Sequence, residues 1–73
     1  MTVYQCLLEL EQLGYLKPLI RRGVIPSHLV QWMEIEAYSL EHSNESLAEI
    51  SYHFSGTKST AFRALSFMNQ PLT

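Results

Sequence analysis

The chain has no aspartate, a single cysteine, three prolines and three glycines among 73 residues, and only 16% of it is charged. With Cys6 alone no internal disulfide can form, and no Cys/His spacing matches a zinc site. Cys6 reads as a small buried helix residue. Missing aspartate, and the lack of a nucleophile elbow, a phosphate loop or metal-ligand spacing, argue against an enzyme. Of the histidines, His53 reads as a boundary residue in mid-helix and His42 as part of a linker. So short a chain has little room for an enclosed substrate pocket, and no cofactor, metal or small-molecule substrate is expected. No apolar run reaches membrane-spanning length. The N-terminus lacks the basic start and apolar stretch of an export signal, which leaves the cytoplasm as the expected location.

What is present is apolar surface, 47% of the residues, within one expected domain over 1–73. A chain of this size buries only about 60% of the surface its unfolded form exposes, so a second copy adding core would help, and a homodimer is expected. Net charge is −2, but unevenly spread. All seven acids are glutamates and none follows Glu49, whereas Lys58 and Arg63 lie beyond it and Lys17, Arg21 and Arg22 sit together.

Hydrophobic spacing and punctuation predict an all-α fold of four to five helices. The first runs from Thr2 to Leu13, with Thr2 and Gln5 at capping-box spacing and Gly14 as its stop. Val3, Leu7 and Leu10 share a face that Cys6, Leu8 and Leu13 broaden. A short helix from about Pro18 to Arg22 ends at Gly23. The longest spans Ser27 to about His42, capped by Ser27, with Leu29, Trp32, Met33, Ala37 and Leu40 inward, Tyr38 in the core, and Glu34 and Glu41 outward. After a polar linker, Ser46 and Glu49 form a second capping box. The helix they open has Leu47, Ile50 and Phe54 on its inner face. Ser55-Gly56 reads as a turn, Thr57 as a cap, and the last helix as Lys58 to about Asn69 with Ala61, Leu65 and Met68 inward.

The run from Leu47 to Leu65, LAEISYHFSGTKSTAFRAL, resembles the helix-turn-helix of bacterial and phage transcriptional regulators, which often read LAEIAxxLGxSKSTVxRxL. Ile50 and Phe54 fill its two apolar positions, Ser51 the small position at the helix crossing, and Thr57-Lys58-Ser59-Thr60 the opening of the recognition helix. Ala61, Arg63 and Leu65 complete the match, while the turn glycine comes one place late. The resemblance implies a C-terminal helix-turn-helix over 46–69, with a recognition helix at about 58–69, and sequence-specific binding of double-stranded DNA in transcriptional regulation.

The residue chemistry points the same way. The stripe opposite Ala61, Leu65 and Met68 is Ser59, Arg63, Ser66 and Gln70, polar throughout and free of acid. Arginine can pair with guanine and glutamine with adenine, while serines donate or accept. Thr57, Lys58 and Thr60 cluster at the helix N-terminus, where backbone amides favour phosphate. Arg21 and Arg22 are further phosphate candidates if the fold brings them to the same face. The alternative is a protein-interaction module that uses the helix-turn-helix as scaffold and the apolar N-terminal helix as docking surface. The acidic net charge favours it.

Overall fold

The computed structural model describes residues 1–54 and 58–72, with the backbone alone at Lys58. Five helices follow one another: α1 (Val3–Gln12), α2 (Leu16–Arg21), α3 (His28–Glu41), α4 (Leu47–His53) and α5 (Lys58–Met68). The fold is all-α, as expected, and no β-strand occurs among the described residues. No helix there is long and apolar enough to cross a membrane.

Local chemistry sets most helix ends. Thr2 Oγ1 accepts the Gln5 amide at 3.2 Å and the Gln5 side chain accepts the Thr2 amide at 2.9 Å, completing the expected capping box. At the other end Gly14 adopts φ 82°, a left-handed conformation that glycine enters without steric cost. This lets the Tyr15 amide reach Leu10 O at 2.9 Å and the Gly14 amide reach Glu11 O at 3.1 Å, the paired bonds of a Schellman cap. Gly23 (φ 77°) ends α2 by the same device, with bonds from Gly23 to Ile20 and from Val24 to Leu19. Helix α2 starts two residues earlier than expected. Pro18 still fits its first turn, where the amide that proline lacks has no intrahelical acceptor.

Ser27 does not cap α3 with its side chain, contrary to expectation. Its own backbone is already helical, so the hydroxyl is not set back over the first turn. Short bonds from the Leu29 amide to Pro26 O and the Val30 amide to Ser27 O take up the first amides instead. At α4, Ser46 Oγ accepts the Glu49 amide and donates to the Glu49 carboxylate, both at 3.2 Å.

Two apolar clusters form the core. Leu7, Leu16, Leu29, Met33 and Met68 join α1, α2, α3 and the end of α5. Ile35, Ile50, Ala61 and Ala64 join α3, α4 and α5. Trp32 packs against both, with its indole edge-on to Phe67 at 5.6 Å. Three residues expected inward are not. Leu13 is the C-cap of α1 and lies outside its last turn. Leu40 is 67% exposed, on the same stripe as Leu29, Met33 and Glu36 but a turn beyond the last of these. Leu47 is 43% exposed at the first position of α4, a turn short of the buried pair Ile50 and Ser51. Cys6 is half-buried with a free thiol.

Two polar devices complete the frame. Glu36 is buried on α3, and its carboxyl group accepts from Asn69 Nδ2 at 3.1 and 3.2 Å, tying α3 to the end of α5. Thr2 and Pro71 form an isolated antiparallel bridge, with bonds from the Val3 amide to Gln70 O (3.0 Å) and from the Leu72 amide to Met1 O (2.9 Å).

Candidate functional site

Helix α5 packs against α1, α3 and α4. Ala61, Ala64 and Met68 are fully buried along one line of it, at i, i+3 and i+7. Two alanines in succession bring the backbones of neighbouring helices close, because a methyl group is all that separates them. Leu65, expected at the centre of this stripe, is half-buried at its flank against Ile35 and its neighbours. Ala64 holds the position assigned to it.

The junction of α4 and α5 is also polar. Ser51, fully buried on α4, accepts the Ala61 amide of α5 at Oγ at 2.9 Å. This bears out the expected place of Ser51 where the two helices meet. The intervening residues Ser55, Gly56 and Thr57, expected as turn and cap, lie outside the described residues.

Tyr38 adds a second tie between α3 and α4 beside the Ile35–Ile50 cluster. Its ring lies between the imidazoles of His42 and His53, stacked at 4.0 and 4.3 Å, and Phe54 meets it edge-on at 5.6 Å. Its hydroxyl donates to the Glu45 carboxylate at 2.8 Å. That bond above all raises the Tyr38 pKa from the ordinary tyrosine value, helped by burial and by the nearby charges of Glu45 and Glu49. His42 Nδ1 lies 3.1 Å from Tyr38 O at the end of α3. One aromatic side chain thus collects the end of α3, the linker and the last turn of α4. The two histidines around it have structural contacts, and no cluster of three metal-ligating side chains occurs among the described residues.

Opposite its buried line, α5 exposes Ser59, Phe62, Arg63 and Ser66. The three polar members are the expected ones. Gln70 is exposed too, but α5 ends at Met68, so Gln70 stands beyond the helix with its carbonyl engaged by Val3. Thr60 is half-buried rather than outward. Lys58 opens the helix. Phe62 was not among the sequence candidates. A phenylalanine in an apolar-spaced helix is ordinarily read as core, yet this one is 61% exposed beside Arg63. Its signal was available: Phe62 follows Ala61 directly, and Ala61 has to face inward. Arg21 and Arg22 are exposed at the end of α2, which among the described residues comes within 8 Å (Cα to Cα) of α1 but of no other helix. The fold therefore does not join them to the α5 face.

Compared with protein family models, with curated proteins and with solved structures, the chain matches none. The described part of α5 offers a guanidinium, two hydroxyls and one aromatic ring on a face without a carboxylate, seated on a well-buried base.

Proposed function

We propose that α4 and α5 act as a helix-turn-helix and that α5 enters the major groove of double-stranded DNA, in the service of transcriptional regulation. The observation that carries this reading is the acid-free outer face of α5, opposite a line of fully buried residues. A recognition helix needs that division, since one side has to lock to the scaffold while the other reads base edges. Arg63 is the residue for guanine, and Ser59 and Ser66 are the adaptable hydroxyls. Phe62 supplies an apolar contact suited to a thymine methyl group. Lys58 and Thr57 belong with the phosphates at the helix opening, and Gln70 is a peripheral contact beyond its end. Two chains pair so that their α5 helices meet major grooves one turn apart, about 34 Å. The protein is read as a cytoplasmic binding protein without catalysis.

The test is fluorescence anisotropy on duplexes selected from a random pool. Arg63→Ala should cost about 1–3 kcal/mol on the selected site and relax its sequence preference, with an unchanged melting curve. Affinity for every duplex should fall steeply with salt. A parent chain that binds no duplex at low salt would end this reading in favour of an interaction module, for which α4 and α5 are only scaffold.

A further inference from the structure

Helices α1 and α3 leave an open groove between them, made of two depressions of about 420 and 180 Å3 that share Glu11 and Val30. Its floor is apolar: Leu8 on α1, Met33 on α3, and Leu16 and Ile20 on α2, which closes one end. Val30 remains 40% exposed on its wall. The charges along it are sorted. Lys17 stands at the α2 end, with Arg21 one turn further on the same side of that helix. Glu34 stands at the other end, with Glu11 between. All four are exposed.

A groove with carboxylates alone would suit a basic peptide. One that carries acid at one end and base at the other is complementary to itself when turned around. We infer that this groove is the surface through which a second copy of the chain docks, in an isologous pair with its twofold axis beside Val30. Each Val30 then projects into the depression of the other copy, and Glu34 of one chain faces Lys17 and Arg21 of its partner; these two sets of opposite charges outweigh the approach of the two exposed Glu11 carboxylates beside the axis. A two-fold contact needs such self-complementarity, because the same patch serves on both sides. This inference rests on the proposed pairing of two chains and names the surface that makes it.

The experiment is sedimentation equilibrium across a concentration series, without DNA. The parent should have the mass of two chains at micromolar concentration. Glu34→Lys alone, and Lys17→Glu combined with Arg21→Glu, should each raise the dimer dissociation constant about a hundredfold, since each sets like charges opposite one another. Both should melt as parent monomers do, all three side chains being exposed. Mixing the two variants should restore the dimer, because each charge then again meets its opposite. A parent that stays monomeric, a dimer indifferent to both reversals, or a mixture that fails to pair would overturn the inference. A monomeric variant that still binds DNA through α5 leaves the DNA reading intact, and a parent that pairs but binds no DNA leaves this one intact.

Discussion

Ser51→Ala tests the junction on which the α5 face depends. In the parent, Ser51 Oγ accepts the Ala61 amide at 2.9 Å, and both residues are fully buried. The substitution removes one oxygen, changes volume little and takes from the Ala61 amide its Ser51 acceptor. The cost is then that of one lost buried hydrogen bond, about 0.5–1.5 kcal/mol. In a domain of this size each kcal/mol lowers the melting temperature by about 4–8 °C. Urea denaturation at matched protein concentration should show a lower midpoint with an unchanged slope, because the surface exposed on unfolding hardly differs. Amide exchange gives a residue-level reading: protection at Ala61 should fall more than at Met68, at the far end of the same helix. If the variant unfolds at the parent's midpoint and the Ala61 amide stays protected, the bond does not hold α5 in place, and the seating of its outer face has to be explained otherwise.

Met68→Ala should cost about 2–5 kcal/mol as a large-to-small change at a fully buried site. Leu65→Ala should cost less, because Leu65 is only half-buried; calorimetry that reverses this order would refute the inward line of Ala61, Ala64 and Met68. Tyr38 gives a pH dependence. Its pKa is raised in the folded state, so the native chain holds the phenolic proton more tightly than the unfolded one. The resulting stability is complete below about pH 10 and is lost as pH rises through the folded value. Tyr38→Phe should remove that part of the alkaline decline, and parallel alkaline melting profiles for the two proteins would exclude the effect. Phe62→Ser should leave stability unchanged and weaken DNA binding only at thymine-bearing sites in the selected duplex. A uniform loss across duplexes would count against a base contact.

Those features legible in the sequence were the ones set by neighbours along the chain. The Thr2–Gln5 box and the stops at Gly14 and Gly23 depend on a few adjacent residues, while the place of Ser51 was implied by the resemblance to helix-turn-helix regulators. What sequence spacing missed depends on where a second helix ends. Leu40 and Leu47 have the right angular position and the wrong height: each lies a turn away from the helix that would cover it. Glu36 shows the converse. Glutamate ordinarily marks an outer face, and only the arrival of Asn69, 33 residues later, makes its burial tolerable. Of the proposed site, Ser59, Arg63 and Ser66 followed from helical periodicity, whereas Phe62, legible from the inward place of Ala61 before it, was hidden by the ordinary reading of a phenylalanine as core. The separation of Arg21 and Arg22 from that face is a matter of tertiary placement, which no local pattern carries.

The bridge between Thr2 and Pro71 brings residues 1–3 and 70–72 side by side near the close of α5, while the opening of that helix lies about 16 Å away at 1.5 Å per residue. A short linker from residue 72 to residue 1 would span only that paired segment and leave the helix contacts as they are. The same geometry suits the domain to a host loop that would carry it on two adjacent strands of chain, with Ser59 near the end of α5 that is far from the point of attachment.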